Sequence, residues 1–334
     1  MNHSSADDER RDDASAADPS RPGSVHDRLT HARDDLEHRV DRARDQFDAT
    51  NERIKKRTGR DLFAAIGVGV LAGVIALASL LFLKWVFAIL AVGVAGLGVF
   101  ELARALQARG RRIDLVPQLL GSTMLLAAAF WLPSAAYWAA LFVALVLIVV
   151  WRTVAQMASP DGRVYASIFA DIIVGCFITL YVPLLASSAL VLLKQPSGEL
   201  WVMMFLLLVI VADTAAYASG LMFGKHKLAP RISPGKTWEG SAGALVVAVI
   251  VGAFAGYFLL EVPWWAGAIM AVPLVASATL GDLSESMIKR DLGIKDMSSW
   301  LPGHGGVLDR LDSILPSAVV ALALYQLLSP LSGL

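Results

Sequence analysis

The chain has 334 residues, 56% of them hydrophobic and 17% charged, with a mean hydropathy of +0.59, a composition that points to a membrane protein. Its formal net charge of zero excludes a general polyanion-binding surface, nucleic acid included. The single cysteine, Cys176, excludes both a disulfide framework and a Cys-based zinc site.

The charges are concentrated at the start of the chain. Residues 1–60 hold 13 Lys/Arg and 14 Asp/Glu, so the other 274 positions carry only 16 basic and 15 acidic groups. The start is too acidic and polar for a secretory signal peptide, so the first apolar segment, from Leu62, is expected to stay in the mature protein. Residues 1–24 are charged, small and proline-containing, and read as a disordered tail. From Val25 a thin heptad-like stripe (Val25, Leu29, Ala32, Leu36, Val40, Ala43, Phe47) predicts a charged amphipathic helix over 25–60. It reads either as a coiled-coil or membrane-surface helix, or as a juxtamembrane helix without a dedicated role.

Nine apolar segments follow, near 62–83, 85–105, 115–132, 134–151, 167–193, 200–222, 241–260, 263–281 and 314–332. Each approaches the ~20 residues that cross about 30 Å of hydrocarbon as a helix. Without water to satisfy backbone groups, helices are the expected form, so the fold class is all-α, a polytopic membrane domain over 62–334. Lys and Arg crowd alternate connections: "IKKRTGR" before the first span, Arg104 to Arg112 after the second, Arg152 and Arg163 after the fourth. Lys225 to Lys236 follow the sixth and Lys289 to Arg310 the eighth. The positive-inside rule then gives a cytoplasmic N-terminus and puts the polar clusters on the cytoplasmic side. The sequence has no internal repeat of the kind that marks inverted-repeat transporters.

Two of these connections carry candidate chemistry. In "DTAAYASGLMFGKHKLAPRISPGKTWEG", residues 213–240, Asp213 sits inside the sixth span, where a carboxylate marks either a cavity-facing position or an interhelical partner. "PGKT" is not a phosphate-binding P-loop, because position 230 is Pro where the motif needs Gly and the preceding segment is a membrane helix rather than a strand. What remains is a basic loop with Ser233, Lys236, Thr237 and Glu239 that can meet phosphate through an ammonium and hydroxyls. In the second connection, Asp282, Ser286 and Lys289 fall at i, i+4 and i+7 and share a helix face. Past "LPGHGG", Asp309 and Asp312 are three apart and also share a face. Carboxylates converging from two helices suit Mg²⁺ holding substrate phosphates, and Gly303, Gly305 and Gly306 permit close backbone approach. Spacing alone leaves open an ordinary solvated loop at the lipid headgroups.

Read as a pattern, "SMIKRDLGIKDMSSWLPGHGGVLDRLD", residues 286–312, resembles the signature of the phosphatidate cytidylyltransferase (CDP-diglyceride synthase) family. The 213–240 stretch looks like the family's upstream motif, and the likeness covers roughly residues 62–334. One departure is Gly235, where a second lysine is expected. The resemblance implies transfer of a cytidylyl group from CTP to phosphatidic acid, for phospholipid biosynthesis in the cell membrane. It makes Asp282 and Asp309 the first metal-ligand candidates for Mg²⁺, with Asp312, Ser286 and Asp213 behind them, and leaves room for a second, monovalent cation. Lys289, Arg290, Lys295, Arg310, Lys236 and Ser233 become phosphate-binding candidates. His304 is either a donor to phosphate or a turn-stabilising imidazole, and Asp171, in the fifth span, either faces the same cavity or has a structural partner. A homodimer is a family-level expectation. The alternatives are a CTP-dependent lipid kinase, a CDP-isoprenoid-lipid synthase or, from a different class, a membrane transporter or scramblase with these charges as its gate.

Overall fold

The computed structural model describes residues 62–158, 162–298 and 305–333; the tail at 1–24 and the helix at 25–60 lie outside them. The described chain is helical almost throughout. Its helices are α1 (Leu62–Phe82), α2 (Lys84–Ala108), α3 (Leu115–Trp131), α4 (Ser134–Ala158), α5 (Tyr165–Tyr181), α6 (Pro183–Leu193) and α7 (Gly198–Phe223). A small ribbon, β1 (Lys227–Ala229) and β2 (Ser233–Thr237), precedes α8 (Trp238–Leu259), α9 (Trp264–Asp291), the one-turn α10 (Leu308–Leu311) and α11 (Ile314–Leu328).

Seven segments are long and apolar enough to cross a membrane: α2, α4, α5 with α6, α7, α8, α9, and the stretch from Leu308 to Leu331. The apolar helices α1 and α3 complete the nine expected from the sequence. The fifth expected span is interrupted at Val182, because Pro183 opens α6 and has no N–H to continue the ladder of α5. At the other end of the size range, α9 runs on from its apolar half through Asp282, Ser286 and Lys289, so the face inferred from their spacing lies on one continuous helix.

Packing follows the division of small and large side chains. On α8, Gly240, Ala244, Ala248, Gly252 and Gly256 recur every four residues on the buried face, while Val246, Ile250, Phe254 and Phe258 recur every four on the exposed face. The small face lies against α7 and α9; the bulky one suits lipid. Lipid tails are as apolar as the helices, so close van der Waals contact must hold them together, and a β-carbon on Gly267 would stand 2.9 Å from Gly256 Cα and collide with the Gly252 carbonyl. Larger side chains fill the centre, with Trp201, Phe205 and Leu208 of α7 and Leu125 and Leu126 of α3 fully buried.

The few polar groups inside this apolar body find one another. Gln118 of α3 donates to the Gly175 carbonyl of α5 at 2.9 Å and accepts from Thr179 at 3.2 Å; the Tyr137 hydroxyl meets that of Ser187 at 2.9 Å. Helices α7 and α9 arrive at the same end of the bundle from which α8 and α11 depart, so the connections after α7 and α9 are neighbours.

Replacing Gly267 by alanine should force α8 and α9 apart and lower the thermal unfolding temperature of the purified protein, equivalent to roughly 1–3 kcal/mol of overpacking. Gly93 of α2 has no atom within 4 Å of its own added β-carbon, and Gly93→Ala should leave that temperature unchanged or raise it.

Candidate active site

A cavity of about 720 Å³ opens at this shared end of the bundle. Asp213 and Tyr217 of α7, Ser233 and Lys236 of β2, Asp282 of α9, and Asp309, Arg310 and Asp312 around α10 line it. The two connections singled out by their charge therefore face one space.

The sequence-derived basic loop is in part an antiparallel ribbon, pairing Lys227 with Thr237 and Ala229 with Ser233. Two of the loop's polar residues hold the ribbon in place. Thr237 caps α8, its hydroxyl accepting from the Gly240 N–H at 3.1 Å. The Glu239 carboxylate accepts from the N–H groups of Lys225 and His226, both at 3.1 Å, and pairs with His226 Nδ1 at 2.6 Å. These contacts fix the ribbon across the start of α8 and leave Lys236 reaching inward, where its ammonium lies 2.8 Å from Asp282 Oδ2.

On α9 the expected face is real. Ser286 Oγ donates to Asp282 Oδ1 at 3.2 Å, and one turn further Lys289 Nζ donates to Asp309 Oδ1 at 2.9 Å. The second oxygen of Asp309 accepts from the N–H groups of Met297 (2.9 Å) and Gly306 (2.8 Å). Asp312 accepts from the Ser313 N–H at 2.7 Å, and the Ser313 hydroxyl donates to Asp213 at 2.8 Å. Asp282 stands within electrostatic reach of both Asp213 and Asp312.

Two acidic residues that the sequence reading passed over belong to the same network. Glu285 is fully buried on α9, with Lys289 Nζ 3.4 Å away and the carboxyl groups of Asp309 and Asp312 beside it. Neither of its oxygens has a hydrogen-bond donor in place. A signal for it existed: Glu285 is three residues past Asp282 and four before Lys289, and so shares their face. Glu101 of α2 is also buried, and it accepts from Ser298 Oγ and from the N–H groups of Val307 and Leu308.

Other candidates lie off the cavity wall. Arg290 Nε donates to the Ile232 carbonyl at 3.2 Å, joining α9 to the ribbon's turn, and Lys295 is exposed beyond the end of α9. Ser286 and Lys289 reach the cavity through the carboxylates they hold. Asp171 takes its structural alternative: it pairs with Arg163 and, at 3.6 Å, with Arg152, in a separate recess with Arg112, Asp114 and Gln118. His304 and Gly303 lie outside the described residues.

Among the described residues, no three or more His, Cys, Asp or Glu side chains stand close enough to form a ready-made metal shell. The donor chemistry nonetheless fits a hard divalent cation. Asp213, Asp282 and Asp312 line one cavity with oxygen donors, and the undonated Glu285 oxygens lie behind them. Where Mg²⁺ also holds substrate phosphates it needs only one or two protein carboxylates.

Comparison with known proteins shows the family of the chain. Residues 63–328 match the model of the cytidylyltransferase family. A phosphatidate cytidylyltransferase of Mycobacterium bovis is 39% identical over 281 residues, covering 81% of this chain and 90% of that protein. The enzyme of the same name from Mycobacterium leprae is 38% identical over 280 residues, with the same coverage. One from Haemophilus influenzae is 46% identical over 126 residues, 36% of this chain and 44% of that protein. With a family match across residues 63–328 and relatives that align over most of their length, the chain belongs to the cytidylyltransferase family.

Proposed function

We propose that the protein is a phosphatidate cytidylyltransferase, joining CTP to phosphatidic acid to give CDP-diacylglycerol and pyrophosphate. The observation that carries this reading is the convergence of Lys236, Arg310 and the carboxylates Asp213, Asp282 and Asp312 on one cavity at the end of a membrane bundle, in a chain of this family.

The chemistry asks little of a general base. The lipid phosphate is itself the nucleophile and is anionic near neutral pH, so the barrier lies in bringing two polyanions together in line. Lys236, now paired to Asp282, can exchange that carboxylate for a phosphate oxygen, and Arg310, which lines the same cavity, can meet the phosphates as a second cation. Mg²⁺, held by Asp282 and Asp312 with Asp213 near, would supply neutralisation of charge on the transferred and leaving phosphates. Lys289 and the amides of Met297 and Gly306 fix the Asp309 carboxylate at the cavity edge. Lysine and arginine in the connections at this end favour a cytoplasmic cavity mouth, where CTP is available, in a protein integral to the cell membrane. Every described residue that lines this cavity falls between Ala212 and Asp312.

Purified protein given labelled CTP, phosphatidic acid and Mg²⁺ should form CDP-diacylglycerol and release pyrophosphate. A phosphorylated lipid with released CDP would identify a lipid kinase instead, and no nucleotide consumption would overturn the reading. Asp282→Asn and Asp309→Asn should each lower kcat by about 10²-fold or more while the protein still inserts in membranes, the size expected when preorganised charge is lost from a phosphoryl-transfer site. Protein lacking residues 1–60 should keep kcat within about threefold of the full chain, because no group assigned a role in positioning or neutralising charge lies there.

A further inference from the structure

Glu101 stands apart from the cavity, on α2, a helix otherwise given to apolar packing. An ionised side chain at such a position is costly and marks a partner. Its partners are unusual in being nearly all backbone. Oε1 accepts from Ser298 Oγ at 2.5 Å and from the Val307 N–H at 2.9 Å, while Oε2 accepts from the Leu308 N–H at 2.8 Å. One carboxylate thus takes two consecutive amides and a hydroxyl from a segment about two hundred residues away in sequence.

That segment leads directly into Asp309. While Glu101 binds Ser298, Val307 and Leu308, Asp309 binds the amides of Met297 and Gly306. The two carboxylates therefore clamp the same two short stretches, 297–298 and 306–308. Gly306 passes between them: a β-carbon there would stand 2.8 Å from Glu101 Oε2 and 3.0 Å from Asp309 Oδ2. What is left to Asp309 outward is Oδ1, which receives Lys289. Glu101 itself has both oxygens engaged, is buried and does not line the cavity, so it acts only through what it holds.

We infer that Glu101 is a positioning residue for cytidylyl transfer: by holding the Val307 and Leu308 amides it sets the register of the turn that presents Asp309 to Lys289 and the cavity. This rests on the proposed transferase reading. A group held this way should govern turnover more than substrate affinity, since a displacement of about 1 Å can lower a rate by about 10²-fold.

The test uses the full chain in Glu101→Gln and Glu101→Asp forms, with kcat, the KM for CTP and for phosphatidic acid, thermal unfolding, and amide hydrogen exchange at 306–309. Glutamine keeps the size of the side chain but turns an NH₂ toward donors on one side. Its kcat should fall at least about tenfold with both KM values within about threefold, and exchange at Val307 and Leu308 should quicken, as expected for loss of an interaction felt in the transition state. Aspartate, which retains the charge, should recover part of the rate. Thr179→Val, which removes a buried hydrogen bond to Gln118 between residues that do not line the cavity, is the comparison and should lower the unfolding temperature without changing kcat. A folded Glu101→Gln protein with kcat within about threefold of the parent overturns the inference. Should that variant not accumulate as folded protein, Glu101→Asp decides: quickened exchange at Val307 and Leu308 with a lowered kcat at unchanged KM supports the role, whereas the same quickened exchange with a parent-level kcat overturns it. A parent protein that makes no CDP-lipid overturns the transferase reading instead, which keeps the two failures apart.

Discussion

An ionised group surrounded by hydrocarbon is stable only when donors or an opposite charge stand against it, and that requirement shapes the functional end of this protein. Four of the acidic side chains there are answered by a group from another part of the chain. Lys236 crosses from the ribbon to Asp282, Lys289 from α9 to Asp309, Ser313 from the start of α11 to Asp213, and backbone amides of the loop before α10 turn to Glu101 on α2. Each pairing that makes a carboxylate tolerable also fixes one helix against another. The site and the scaffold are in this sense the same set of contacts, whereas the remainder of the bundle is held by close packing of small residues such as those along α8.

Glu285 is the exception that gives the site its chemical character. Its oxygens are buried without a donor, and two further carboxyl groups adjoin it. Lys289 stands 3.4 Å from it and 2.9 Å from Asp309. Three adjoining carboxyl groups beside one ammonium, next to a cavity that Lys236 and Arg310 also line, can take a divalent cation and a polyphosphate together more readily than either alone. The same imbalance argues against a purely structural ion-pair cluster, in which the partners would match one for one.

Much of this was legible in the sequence, for reasons that differ by element. The spans stand out because continuous apolar runs admit few other readings, and the face formed by Asp282, Ser286 and Lys289 follows from helical periodicity alone. The break at Pro183 was visible as a residue but not as a boundary, since membrane helices tolerate proline: Pro273 lies within α9 without ending it. The ribbon was missed because its strands are three and five residues long and include Pro234 and Gly235, which weaken a strand pattern. Glu101 could not be placed at all, because its partners are mostly main-chain amides, and those leave no trace in residue type.

The contrast between Asp171 and Asp213 shows where sequence reasoning stops and geometry begins. Both are single acids within apolar spans, and by composition they are equivalent. Asp171 sits where α4 and α5 approach each other, beside Arg152 and Arg163, and two guanidinium groups consume its charge in a recess too small for a substrate. Asp213 faces a hydroxyl rather than a cation, on a wall shared with Asp282 and Asp312. A carboxylate hydrogen-bonded to a hydroxyl on the cavity wall can turn to whatever enters the cavity. What stands around each acid, a closed pair of guanidinium groups or the wall of a shared cavity, separates the structural carboxylate from those that can serve chemistry.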